Sequence, residues 1–512
     1  MSRSVHFSNM KRASLGLSLV WTACSATPEQ ALETELGQGR QAVNFASASQ
    51  ICGQDPRVQL GIVSQSVCVG AELFFRDEFG GNGRSCASCH PADNNYTIDP
   101  DFIAQLPSTD PLFVAEQNPA LGGLERPELM RDHGLILENV DGADDPENKF
   151  TMRSVPHCFS LATSVSAPPG TVTPPLERTG WSSDGAPGLG RLTDFQTGAI
   201  FQHYTKSLAR IPGVDFTPAT PGELDAIDAF LRSVGRGNEL DVTNGVSLTD
   251  AGAEAGRLEF IDPANRCNGC HRNAGANVSG GFNQNFDTAV ERLRITELNA
   301  LGIPFDGGLG GGQEFNFDAD KDGEPDSFGN GQFNTPPLIE AADTAPFFHT
   351  NAFTSIEDAI GFYNSTAFNT SPVTNSTNQV NMSAAEIANI GRFLRVLNAS
   401  FNVQLALARV GALLPVIDAG ANQSRDLQQE LARLALVEVE DALDVLSAKA
   451  GLNTAVQANL ATARAALERA STHASHTQRR QAAQDALAAL TPARDGLGTG
   501  MTFDMGQGTF MF

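Results

Sequence analysis

Cys86, Cys89 and His90 form one Cys-x-x-Cys-His string, and Cys267, Cys270 and His271 form another. Thiols at this spacing add across the two vinyl groups of a porphyrin, and the neighbouring imidazole reaches the proximal position of its iron, which is the pattern of c-type haem attachment. With 8 Cys and 9 His in 512 residues, random order gives roughly 0.002 such strings, so two of them are a signal. The chain reads as the carrier of two covalently bound c-type haems.

Two haems raise the question of what closes the sixth position of each iron, because a cytochrome that only relays electrons needs two axial ligands per iron. Outside the N-terminal segment and the proximal pair, the histidines are His133, His157, His203, His349, His473 and His476. A second metal motif lies at Asp318, Asp320 and Asp322, followed by Gly323 and Asp326. That spacing curls oxygen ligands around Ca²⁺, although the bidentate glutamate of a full loop is replaced by Gly329. It is a partial loop, weighed as a structural calcium site against a solvated acidic turn.

The elements around these motifs read as mostly α. A helix from Gly70 leads through the Gly80–Gly83 loop to the first string, and Ser247–Phe260 reads as the helix before the second. Pro and Gly are dense from Ala167 to Gly190, which predicts an ordered loop, and Leu309–Gly331 is a Gly/Asp-rich excursion. After Ala399 the composition turns Ala/Leu-rich, with Leu427, Leu431 and Leu434 at helical spacing and a break at Gly451 and Asn453. The expected organisation is a signal segment (1–24), a first cytochrome-c-like haem domain (25–245), a second (246–402) and a helical hairpin or small bundle (403–512). The tail reads as a packing or dimerisation element, and the last Gly-, Met- and Phe-rich residues carry no readable signal.

The composition sets the compartment. Arg3, Lys11 and Arg12 precede an apolar stretch, Ala13–Ala23, that is too short to span a bilayer. This is an export signal, ending at Cys24 as a lipid-anchored residue or at ordinary cleavage soon after. The expected location is periplasmic, outer-membrane-associated or extracellular, where c-type haem is attached and disulfides persist. Cys52 and Cys68 enclose a short loop suited to a disulfide; Cys158 is left as a buried thiol near a haem or as a partner for another bridge. A net charge of −25 argues against nucleic acid as a partner and suits solubility or docking of a small basic redox protein.

The stretch Asn334-Thr-Pro-Pro-Leu338, then Ala345-Pro-Phe-Phe-His349, then Ser355-Ile-Glu-Asp-Ala-Ile-Gly-Phe-Tyr363-Asn364 resembles the C-terminal signature of the bacterial di-haem cytochrome c peroxidase and MauG superfamily. The resemblance implies that Tyr363, fourteen positions after His349, is the distal ligand of the second haem, where peroxidases carry methionine and MauG-type enzymes tyrosine. Local patterning agrees: Ser355 and Asp358 make a capping box, and Ile356, Ile360 and Tyr363 share one helix face. A phenolate ligand stabilises higher iron oxidation states, which makes the second haem a store of oxidising equivalents.

Upstream, Trp181-Ser-Ser-Asp184-Gly185 and Leu192-Thr-Asp-Phe-Gln196-Thr-Gly198-Ala-Ile200 resemble the inter-haem tryptophan and distal segment of that superfamily. Trp181 is thereby implied as an electron stepping stone. The pattern departs at Phe195, where the family has glutamine, at Ala199 for proline, and at Thr205 for the catalytic glutamate, which leaves His203 as the nearest acid or base. No histidine stands near Leu106, where peroxidases of the family carry one that blocks the oxidised iron, so the haem at His90 is expected to be open. Three functions follow as expectations. One is an exported haem peroxidase-like oxidoreductase using hydrogen peroxide. A second is a dioxygen-using enzyme resembling the di-haem rubber oxygenases, favoured by Phe195. The third is an electron carrier with no substrate of its own.

Overall fold

The computed structural model describes residues 43–139, 149–179, 188–308, 315–375, 377–420 and 424–512. The expected signal segment with Cys24, the stretch holding Trp181, Asp184 and Gly185, and part of the Gly/Asp-rich excursion lie outside these. The helices that position the site are α1 (Gln65–Arg76), α2 (Leu192–His203), α3 (Pro221–Leu231), α4 (Ala251–Ile261), α5 (Ile356–Gly361), α6 (Ala384–Ala419), α7 (Arg425–Ser447), α8 (Thr454–Thr472) and α9 (His476–Leu497). Sheet is confined to short pairings, the longest an antiparallel ladder of β1 (Leu135–Asn139) and β2 (Phe150–Ser154). The fold is mostly α, as the sequence predicts.

Each haem-attachment string follows a helix with glycine and phenylalanine four residues apart. In α1 these are Gly70 and Phe74, crossed by Ala226 and Phe230 of α3; in α4 they are Gly256 and Phe260, crossed by Asn389 and Phe393 of α6. A Cβ at Gly70 would stand 1.9 Å from the Ala226 carbonyl oxygen, and one at Gly256 would stand 1.9 Å from that of Asn389. Only glycine permits backbones this close. The ring pairs Phe74/Phe230 and Phe260/Phe393 lie 5.1 Å and 5.3 Å apart, in the tilted arrangement aromatic quadrupoles prefer. The same crossing is thus built twice, once before each string.

Caps fix where these helices start. The Ser64 hydroxyl accepts from the Val67 amide before α1, and the Asp250 carboxylate accepts from the Ala253 amide before α4. The second cap corrects the sequence reading. The helix begins at Ala251, and Ser247–Leu248 instead pairs antiparallel with Gly498–Thr499. A further correction concerns α5, which ends at Gly361, so that Tyr363 stands on the 3-10 turn Phe362–Asn364.

Residues 42–512 form one compact unit, and α6 runs through the expected boundary at 402 into the tail. Its Ser383/Glu386 capping box sets the start. With α7, α8 and α9 it makes an antiparallel bundle around Leu431, Leu434, Leu460, Leu467 and Leu490. The C-terminal residues then return to the first half. The Asp504 carbonyl accepts from the Gly237 amide, the Gly508 amide donates to the Ser233 carbonyl, and Arg57 donates to the Phe510 carbonyl at 2.7 Å. Cys52 and Cys68 form a disulfide joining the helix Phe45–Gln54 to α1. Cys158 is a buried free thiol.

Candidate haem-binding and distal site

The residues of both strings line one cavity of about 930 Å³. In the first, the His90 Nδ1 lies 2.8 Å from the Tyr96 carbonyl oxygen, with the Cys158 sulfur at 3.3 Å. In the second, the His271 Nδ1 lies 3.0 Å from the Pro336 carbonyl oxygen. A carbonyl can only accept, so each Nδ1 carries the proton and each Nε2 is left free as a ligand atom. Burial lowers both imidazoles to about 4; they are neutral, the form that binds a metal. Cys86, Cys89, Cys267 and Cys270 are free cysteines on the same wall. The donor set and the space therefore fit two covalently attached haems.

The Asn334–Leu338 segment explains the second site's frame. The Leu338 amide donates to the Ala274 carbonyl, and Asn283 bridges the Ser164 and Thr335 carbonyls at 2.8 Å each, so Pro336 is held against His271. Tyr363 faces the same cavity, packed edge-on to Phe368 at 4.9 Å. Burial, followed by the charges of Cys270 and Cys267, pushes its phenol above the ordinary range. Among the described residues no hydrogen bond is made by its hydroxyl.

The first site carries different groups. From α2, Phe195, Gln196, Ala199 and His203 line the cavity. His203 lies with Nδ1 3.9 Å from the Glu125 carboxylate, which is itself ion-paired to the buried Arg84 at 2.8 Å. Burial, with the charges of Arg84 and Arg210 adding to it, lowers the His203 imidazole to about 3. It is a neutral base across the physiological range. Asn82 ties the end of α2 to the loop before the first string, donating to the His203 carbonyl at 2.9 Å and the Thr205 carbonyl at 3.0 Å. Tyr204, the next residue, places its hydroxyl 3.1 Å from the Cys86 sulfur.

Gln196 is a residue that motif reading passes over. It is buried, neither of its amide atoms has a protein partner, and it lines the cavity. The sequence signal was its place beside Phe195, where the family pattern has glutamine. His157 also lines the cavity with an unpartnered Nδ1. His349 is buried against Phe333 at 4.6 Å, 4.0 Å from Asp306, and burial lowers it to about 4. His133, 3.9 Å from Glu297, and His473 and His476 in the tail are not among the cavity-lining residues.

Away from the cavity, Asp318, Asp320 and Asp326 bring carboxylate oxygens within 4.8 Å of one another. Asp322 is not in this group. Its amide donates to Asp318 and Asp320, and its carboxylate accepts from the Glu324 amide at 2.9 Å.

No protein-family model and no curated protein matches the chain. Solved structures similar to it include these two. One, a MauG-like protein associated with microbial copper homeostasis, is 17% identical, with 65% of this chain and 87% of that one covered at a TM-score of 0.35. The other, the diheme peroxidase BthA from Burkholderia thailandensis, is 20% identical, with 70% and 89% covered at a TM-score of 0.37.

Proposed function

We propose that the chain is an exported di-haem c-type oxidoreductase that reacts with hydrogen peroxide at the haem of His90. The observation that carries this reading is the inequality of the two sites within one cavity. The first presents a neutral base, His203, and the unpartnered Gln196 amide, the second the Tyr363 phenol. Cys86, Cys89 and His90 would hold a haem supplying an iron for peroxide reduction, and Cys267, Cys270, His271 and Tyr363 would hold one that stores oxidising equivalents.

The protein's part is to orient and to move protons. His203 takes a proton from bound peroxide and returns it to the departing oxygen, the general acid–base task that promotes O–O cleavage. The Gln196 amide donates to and accepts from the peroxide so that its two oxygens are distinguished. Trp181 carries electrons between the haems, delivered by a small redox protein. The Cys52–Cys68 disulfide supports an oxidising compartment, with Cys24 as a lipid anchor. Asp318, Asp320 and Asp326 hold calcium in a structural role.

Phe195 and the apolar wall beside it, including Leu192 and Ile200, favour a second reading in which dioxygen and an unsaturated apolar substrate are consumed. Stopped-flow mixing of the ferric protein with hydrogen peroxide decides between them. A rapid change confined to the high-spin haem spectrum supports the peroxidase reading, and dioxygen uptake with an alkene but no peroxide response overturns it.

A further inference from the structure

The carbonyl that anchors His90 comes from a strained turn. Asn95 and Tyr96 are consecutive non-glycine residues with φ of 55° and 54°, each in the left-handed region that L-residues disfavour. Such strain persists only where the surroundings over-determine it. Part of that constraint is local: the Tyr96 amide donates to the Pro91 carbonyl at 3.0 Å, Asn94 bridges the Thr97 carbonyl and Asp99, and the Tyr96 ring is fully buried against Phe159.

The rest comes from the helical tail. Arg433 of α7 is ion-paired to Asp93 at 3.2 Å. The Asn95 side-chain amide donates to the Asp343 carbonyl at 3.4 Å and neighbours Asp441, two turns further along α7, whose buried Oδ2 has no other protein partner. Asp343 is fixed in turn by Asn398 and Asn402 of α6, at 2.8 Å and 2.6 Å. Glu438 lies between Arg433 and Asp441 in sequence and is pinned by Arg409 at 2.6 Å. Two positions of the four-residue stretch 93–96 are therefore gripped from one helix of the bundle.

We propose that α7 is a clamp on the proximal side of the first haem: through Asp93 and Asn95 it holds the left-handed turn that presents the Tyr96 carbonyl to His90. Asp441 and Arg433 are positioning residues acting through that turn. A donated Nδ1–H raises the basicity of a ligating imidazole and fixes its ring. Releasing the turn weakens both effects at His90 and leaves His271, held by Pro336, untouched. Burial, then the charge of Asp343, raises Asp441 above the ordinary carboxylate range.

The inference rests on His90 ligating a haem, and the test separates the two. Resonance Raman spectroscopy of the ferrous holoprotein reads the iron–histidine stretch of the five-coordinate haem, and spectroelectrochemistry reads both midpoint potentials. Asp441→Ala is expected to lower the stretch and raise the first haem's potential, with the second unmoved. Arg433→Ala removes a partly exposed pair and shifts the same readouts less; it keeps the test alive if Asp441→Ala fails to fold. Asn95→Gly added to Asp441→Ala restores the stretch, because glycine holds a positive φ without strain. Failure of haem attachment at Cys86 and Cys89 overturns both readings. A loaded first site whose stretch is unchanged by Arg433→Ala and Asp441→Ala overturns the clamp alone.

Discussion

The two halves that carry the Cys-x-x-Cys-His strings share a frame and differ in what faces the cavity. The frame is the glycine-mediated crossing, Gly70 on Ala226 and Gly256 on Asn389, with a phenylalanine pair one turn on. In both halves the proximal imidazole donates to a backbone carbonyl and is neutral by burial. Beyond that, the first half aims His203 and Gln196 into the cavity and the second aims Tyr363. Packing can thus be repeated while chemistry diverges, because the helix crossing and the distal residues sit on different elements.

The largest effect should come from removing one haem at a time. Cys86→Ala with Cys89→Ala, and Cys267→Ala with Cys270→Ala, are each expected to leave one covalent haem per chain by pyridine haemochrome. Only the first pair should abolish the spectral response to peroxide; equal loss from the second pair would break the asymmetry. Next in size, His203→Ala should slow that response by about 10²- to 10⁴-fold, the usual worth of a general acid–base. Tyr363→Phe should change the electron paramagnetic resonance signal of the second haem alone, and an unchanged spectrum would remove Tyr363 as a ligand.

The shared frame should respond alike on both sides. Gly70→Ala and Gly256→Ala each force a methyl into a backbone carbonyl and are expected to cost about 1–3 kcal/mol or more by denaturant melting. A large loss from only one would show that the crossings are not equivalent.

Acid sharpens the comparison most finely. His203, lowered to about 3, should keep the peroxide rate level from pH 8 to about 4, whereas a free imidazole loses basicity near 6.5. In the apoprotein, His90, His203, His271 and His349 all have folded values near 3 to 4. The unfolded chain therefore binds more protons between about pH 4 and 6.5, and stability should fall as pH falls through that window. Haem loading takes His90 and His271 out of that titration, so the loaded protein should show a shallower slope.

What was legible in the sequence followed from chemistry that is local along the chain. Covalent attachment demands adjacent Cys, Cys and His, and the leucines of α7 declare its buried face. Tyr363 was reached by its distance from His349, although the helix expected to carry it ends two residues sooner. Gln196 was hidden because an unpaired buried amide is a property of the folded surroundings, not of residue type. Asp322 shows the same limit: the spacing of its loop gives four carboxylates but does not say which of them turn inward. The beginning of α6 at Ala384, ahead of the composition change after Ala399, is set by the Ser383/Glu386 cap, a signal four residues long and easily outweighed by the leucines further on.

The returning C-terminal residues have a consequence in time. Arg57 meets the Phe510 carbonyl, and the Ser233 and Gly237 backbones wait for Gly508 and Asp504. Contacts so far apart in sequence form late. The half that carries the first string therefore gains these backbone partners only when the C-terminal residues have come back to it.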